Sequence, residues 1–140
     1  ISGDRVEKKV TKTAKPKETN EISYGGKSDT IYSGLLIDAS GTGVNPAMSP
    51  KVLDTSGKEI YGSAAVERDF VLRHGVVGYM KDLKKATKNN RIKGNPLIIK
   101  AKSSPNSTDL VISQEDADLL KKLDKSQTFL REARVIIIIG

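Results

Sequence analysis

A cluster of lysine and arginine residues is the feature of this sequence whose chemistry is easiest to name. From Lys81 to Lys102 there are eight basic residues and one acid, Asp82, so this stretch alone accounts for the net charge of +7. Positive charge at this density favours an anionic partner, namely a glycan, a phospholipid surface or a nucleic acid. The candidate anion-binding patch consists of Lys81, Lys84, Lys85, Lys88, Arg91 and Lys93.

The same residues are also explained without any ligand, as a solvated helix end and the loop that follows it. Nucleic acid is the least favoured partner, because stacking of bases needs aromatic side chains and only Tyr79 lies nearby. The basic stretch therefore leaves two interpretations open, a binding surface and a solvated face.

Residues that could perform catalysis are isolated from one another in this sequence. His74 is the only histidine, and its place at the end of a predicted helix favours a structural or polar role. Asp38 and Asp54 each follow a predicted strand, where Asp commonly stabilises a turn. Glu67 and Asp69 lie two positions apart and therefore cannot share a helix face. We expect no catalytic residue, no cofactor and no metal ion.

The pair Gly41 and Gly43 follows a predicted strand, as a phosphate-binding loop would. The third glycine of a dinucleotide fingerprint and the Gly-Lys-Ser/Thr ending of a P-loop are both missing. A tight turn that requires glycine explains the pair better. The absence of cysteine excludes disulfides, thiolate zinc sites and cysteine nucleophiles.

Length and composition indicate one domain with a polar extension. A chain of 140 residues fits a single domain, but a hydrophobic fraction of 36% is low for one. Residues 1–28 are polar and lysine-rich, so we predict a flexible basic tail or linker there and a folded domain over residues 29–140. No apolar run approaches the roughly 20 residues of a membrane-spanning helix. No leader precedes Ile1, so a signal peptide is expected to be absent or already removed.

The elements that must position these residues centre on the stretch from Ile31 to Gly62. Its opening apolar run predicts a buried strand, and Asp54 and Gly57 have the types that favour the turn of a hairpin. The run Val135–Ile139 is β-branched throughout, which is typical of a central strand covered on both faces. Strands are predicted near residues 31–38, 50–54, 58–62, 97–101, 109–112 and 135–139.

Two main helices are predicted to pack on this sheet. Ser63 is expected to cap a helix near residues 64–74, which Gly75 ends. Ser113 with Asp116 three residues later has the form of a capping box and predicts a helix near residues 114–124.

The short apolar segment Val76–Met80 leaves two possibilities, a buried coil or a return to helix through Leu83 and Ala86. Together the elements predict a single α+β domain with a mixed β-sheet packed by two main helices, preceded by the flexible tail.

Three strings carry a family resemblance: YSGLLIDASGTGVNPAMSPKVLDTSGKEIYGS, RDFVLRHGVVGYMKDL and the closing RVIIII. From about residue 30 to residue 140 the sequence resembles the C-terminal region of bacterial envelope lipoproteins related to the flagellar proteins FlgP and FlgT. The resemblance implies an α+β module of the cell envelope without established enzyme activity, often part of multimeric structures near the outer membrane. It brings no catalytic residues. A leader and any lipid anchor would lie outside this sequence, which has no lipid-attachment cysteine.

We therefore expect a non-catalytic structural or assembly protein of the bacterial cell envelope, located in the periplasm or associated with the outer membrane or flagellum. Its expected partners are other proteins or further copies of itself, since the edges of a sheet built from short strands can accept another chain's strand. The alternative is a binding module that uses the basic patch to hold an anionic glycan, phospholipid or nucleic acid.

Overall fold

Strand β1, Gly34–Asp38, runs through the centre of the sheet and is buried at every position. The structure is a computed structural model that describes residues 22–140, so most of the predicted tail lies outside the described residues. The other strands are β2 (Val52–Leu53), β3 (Glu59–Tyr61), β4 (Gly78–Met80), β5 (Pro96–Ser103), β6 (Leu110–Ile112) and β7 (Val135–Ile138). The helices are a 3₁₀ turn (Ser63–Ala65), α1 (Arg68–His74), α2 (Leu83–Thr87) and α3 (Gln114–Asp124).

The seven strands form one mixed sheet in the order β3-β2-β6-β5-β1-β7-β4. Strands β4, β7, β1 and β5 are parallel neighbours. Beyond them β6 is antiparallel to β5, β2 is parallel to β6, and β3 closes the sheet as the second strand of an antiparallel hairpin. The predicted α+β domain with a mixed sheet is therefore confirmed. In the described part of the chain no helix has the length and apolar character that crossing a bilayer requires.

Alternate residues of β1 divide the core into two clusters, one on each face of the sheet. Leu35 and Ile37 belong to the larger cluster, to which α3 contributes Leu120. Leu36 belongs to the smaller cluster, which contains Ala86 of α2. Because both faces are covered, the strands at the centre of the sheet are apolar at consecutive positions instead of alternating with polar residues.

Several local predictions are confirmed by the structure. The Ser113 side chain accepts a hydrogen bond from the Asp116 amide and caps α3. The closing strand lies between β1 and β4 with all four residues buried. In the hairpin, Asp54 accepts hydrogen bonds from the amides of Ser56 and Lys58, which explains why Asp starts this turn.

One prediction about the middle of the chain is wrong, and one strand was not predicted. Ser63 does not cap a continuous helix: it starts a 3₁₀ turn without a side-chain cap, Val66 is extended, and α1 begins only at Arg68. Val76–Met80 is neither coil nor helix over its second half, since Gly78–Met80 forms the edge strand β4. The return to helix does occur, with Asp82 as the N-cap of α2.

The first described residues, Ile22–Ser28, pass along the sheet as a segment that we call the strap. The Gly25 amide donates to the carbonyl of Ile98 in β5 at 2.7 Å. Strand β6 pairs with β5 only from Ala101 onward, so β6 does not cover this part of β5. A Cβ on Gly26 would lie 2.5 Å from a methyl carbon of Leu97, so a larger residue here would have to displace the side chains of Leu97 and Tyr32. The strap is therefore in contact with the domain from about Tyr24.

The closing strand allows a test of the core. Ile137 is fully buried in β7, so Ile137→Ala should lower the free energy of unfolding by about 2–5 kcal/mol through lost burial and a residual cavity. Urea denaturation followed by circular dichroism would measure the change. Ile31→Ala is the control because the Ile31 side chain is 81% exposed, and it should change the stability by no more than about 0.5 kcal/mol. Equal stability of the two variants would contradict the buried position of β7.

Candidate functional site

Five of the six residues of the predicted basic patch lie on the surface. Lys84 and Lys85 are exposed on α2, whose inner side carries the buried Ala86, while the other three flank the helix or lie in the loop after it. In the described part of the chain none of the five lies within salt-bridge distance of a carboxylate. We call this surface the lysine face, and it consists of Lys81, Lys84, Lys85, Lys88 and Lys93.

Arg91, the sixth residue of the patch, has a different environment. Its Nε donates to the carbonyl of Ala133 at 2.7 Å, and its Nη2 donates to the carbonyl of Gly75 at 3.1 Å. Burial lowers the pKa of this guanidinium from its ordinary value. The side chain therefore ties the end of α1 to the segment before β7.

His74 lies at the C-terminal end of α1, as predicted. Its ring stacks on Phe70 with the ring centroids 6.1 Å apart. It lines a hollow of about 310 Å³, which also contacts Asn90, Arg91 and Arg134. Among residues 22–140, no hydrogen bond joins the imidazole to an acid or a hydroxyl group, so the described geometry gives His74 no catalytic partner.

The two aspartates of the sequence analysis stabilise separate turns. Asp38 ends β1 in the centre of the sheet, where it accepts hydrogen bonds from Tyr24 Oη at 2.6 Å and from Ser40 Oγ at 2.7 Å. Burial alone would raise the pKa of Asp38, but these hydrogen bonds outweigh it and hold the pKa below its ordinary value. Asp54 lies in the β2–β3 hairpin at the far end of the sheet. The two carboxylates therefore do not form an acid pair.

The positive φ angles of Gly41 and Gly43, 82° and 80°, support the interpretation as a tight turn. No group of three His, Cys, Asp or Glu residues among those described is placed to hold a metal ion. The described residues thus show neither a phosphate loop nor a metal centre.

A cavity that the sequence analysis missed lies where the chain enters β1 and β7. It has a volume of about 560 Å³ and is lined by residues 28–33 and by residues of the segment 126–134. Gln127 joins its two walls, because its Oε1 accepts from the Tyr32 amide and its Nε2 donates to the carbonyl of Thr30. At the boundary between this cavity and the hollow beside His74, Glu132 Oε1 and Arg134 Nε form an ion pair at 2.8 Å.

The sequence contains one weak signal of this cavity, the two charged residues Glu132 and Arg134 directly before an apolar strand. The other wall comes from a segment about 100 positions earlier in the chain, and nothing local indicates that the two walls meet. The cavity is thus a product of the sheet order, in which β7 lies beside β1.

An apolar surface lies beside α1, around the exposed side chain of Leu72. Leu72 is 73% exposed on this surface, beside a shallow hollow of about 430 Å³. We call this surface the Leu72 patch, and its apolar residues are Ala64, Val66, Val71 and Leu72. Of these residues Ala64 and Leu72 are exposed, Val71 is half-buried and Val66 is buried in the core, so Leu72 together with the partly covered groups beside it offers a small apolar contact surface.

The fold is a small α+β domain whose central parallel strands are buried. The solvent-accessible features described above are the lysine face, the Leu72 patch and the cavities. The chain belongs to the family described as Treponema pallidum Tp0624, second domain, which residues 34–140 match. A search of the curated proteins gives no match to this chain.

Asp54 provides a test by pH. The Ser56 hydroxyl and neighbouring amides lower the pKa of Asp54 from 3.8 to about 2. Between these values the unfolded chain binds a proton that the folded protein does not, so Asp54 should stabilise the fold above about pH 4 and lose this contribution as the pH falls toward 2. Urea midpoints measured across this range should fall less steeply for Asp54→Asn than for the wild type.

The variant Ser56→Ala removes the largest cause of the shift and keeps the carboxylate. Its loss of stability should therefore begin near the same pH of about 4 as in the wild type, but be smaller and end at a higher pH, because only the pKa of the folded state has changed. If Asp54→Asn follows the wild-type slope throughout the range, the hydrogen bonds to Asp54 do not contribute as described.

Proposed function

We propose that this domain is a non-catalytic assembly module of the bacterial cell envelope, acting near the outer membrane or the flagellum by binding other proteins or further copies of itself. The family supports a modular role, because its namesake is the second domain of a longer bacterial protein. The resemblance to envelope lipoproteins related to FlgP and FlgT supports the setting.

The Leu72 patch is the observation that carries the proposal of binding by contact. Leu72 is a large apolar side chain that extends into solvent, next to the partly covered Val71. Covering a leucine side chain of this kind contributes about 1.5–3 kcal/mol to an association. The sheet edges are a weaker basis, since β3 and β4 have only three residues each and offer little backbone to an added strand.

A charge placed on the Leu72 patch should prevent the association. Leu72→Lys should weaken self-association or partner binding about tenfold or more, because the apolar contact is lost. Sedimentation at several protein concentrations and crosslinking in envelope fractions would measure this. Met48→Lys is the matched control: Met48 is 94% exposed in the loop between β1 and β2, and the substitution makes the same change of charge. Equal association of the two variants, or a wild-type protein that stays monomeric and captures no partner, would contradict the proposal.

The lysine face supports a second candidate function, the binding of an anionic surface or polymer. Lys84 and Lys85 lie on α2, while Lys81 and Lys88 flank it, so their charges add at that surface. Asp82, the nearest acid in the sequence, accepts the amide of Lys85 as the helix cap.

Neutralising the lysine face tests this second function. The triple variant Lys84→Gln, Lys85→Gln, Lys88→Gln should elute from an anionic matrix at lower salt than the wild type, because the attraction is electrostatic and screened by ions. The control variant Lys121→Gln, Lys122→Gln, Lys125→Gln removes the same charge from α3 and should keep most of the retention. Equal losses in both variants would show that only net charge matters and would contradict a specific lysine face.

A further inference from the structure

The ion pair between Glu132 and Arg134 uses the Nε of the arginine and leaves its two Nη atoms available to a ligand. Arg134 uses its Nε for Glu132, and within residues 22–140 neither Nη atom donates a hydrogen bond. The side chain is 45% exposed and borders both the 560 Å³ cavity and the hollow beside His74. The two Nη atoms are thus the only cationic donors in the lining of the larger cavity that have no partner among the described residues.

The guanidinium is held in a defined orientation. Glu132 Oε1 accepts from Arg134 Nε at 2.8 Å, and Glu132 Oε2 accepts from Thr128 Oγ1 at 3.1 Å, so the carboxylate is fixed from both sides. The hydrogen bond from Arg134 also lowers the pKa of Glu132 below its ordinary value, so that the carboxylate stays charged at neutral pH. An arginine oriented in this way loses less rotational freedom when a ligand binds.

The lining of the cavity restricts what the free edge of Arg134 could bind. A planar guanidinium edge matches the two oxygens of a carboxylate. Asp29 and Glu132 also line the cavity, and they would repel a doubly charged phosphate more strongly than a singly charged carboxylate. The exposed side chain of Ile31 provides an apolar contact for the rest of the ligand. A volume of about 560 Å³ lies in the range of small-molecule sites.

We propose that this cavity binds a small molecule with a single carboxylate and a partly apolar body, and that the Nη edge of Arg134 holds the carboxylate. Gln127 acts as a positioning residue, because its amide keeps the two walls together through Tyr32 and Thr30. The site is independent of the Leu72 patch and of the lysine face.

N-acetylphenylalanine is a suitable probe, since it combines one carboxylate with an apolar ring. Titrated into the full chain, it should shift the amide resonances of Gln127 and Thr128 and the Nε resonance of Arg134. Its neutral counterpart, N-acetylphenylalaninamide, and inorganic phosphate should produce smaller shifts. Equal shifts from the acid and the neutral amide, tighter binding of phosphate, or no shift at about 10 mM probe, where even millimolar affinity is visible, would overturn the proposal.

Substitutions at the ion pair identify the group that holds the carboxylate. Arg134→Gln should weaken binding of N-acetylphenylalanine about tenfold or more, and Arg134→Lys should restore part of the affinity because it returns the charge without the planar fork. Arg131→Gln is the matched control, since Arg131 is exposed three residues away and does not line either cavity. Unchanged amide resonances in the sheet would show that the variants are folded. Undiminished binding by Arg134→Gln, or an equal loss in Arg131→Gln, would refute the role of Arg134.

Discussion

Burial of β1 and β7 on both faces is the constraint on which the rest of the structure depends. The two strands are parallel neighbours in the middle of the sheet, and no residue of either is more than slightly exposed. Parallel strands cannot be joined by a tight turn, so each connection has to cross a face of the sheet. The connection between the parallel strands β4 and β5 carries α2, and α3, which precedes β7 in the chain, covers the other face of the sheet.

The carboxylate at the end of β1 shows how a polar group is accommodated beside this core. Asp38 is nearly inaccessible to solvent, and a buried charge is tolerated only when hydrogen bonds replace water. Tyr24 of the strap supplies one of these bonds, and the same bond raises the pKa of Tyr24 to about 12. The hydroxyl therefore remains a donor throughout the physiological range, and the strap and the central strand stabilise each other.

Composition and periodicity predicted the parts of the fold in which local and global preferences agree. The β-branched run at Val135, the Ser113 cap and the Asp54 turn each have a local physical cause, and each was predicted correctly. Strand β4 has no such signal: its three residues are held by pairing with β7, a partner nearly 60 positions later. The start of α1 was predicted wrongly for a related reason. Ser63 has the type of a cap, but the Glu67 amide instead bonds to the carbonyl of Arg131, and this long-range contact fixes where the helix begins.

The candidate sites also differ in whether the local sequence or long-range contacts determine them. Surface lysines can be identified by counting charges, whereas the inward orientation of Arg91 depends on the carbonyls of Gly75 and Ala133. The cavity at Arg134 requires the sheet order itself, because its walls are distant in sequence. Binding sites thus depend more than helices and strands do on contacts between residues that are distant in sequence. A single sequence therefore indicates its helices and strands better than its binding sites.

The two edge strands, β3 and β4, are short, and this affects how the protein behaves at high concentration. Proteins held in an ordered array are close to many copies of themselves, and long flat strand borders under those conditions seed amyloid-like stacking. Here β3 and β4 end after three residues each. At high concentration such a domain therefore offers little backbone with which to recruit a neighbouring copy into a fibril.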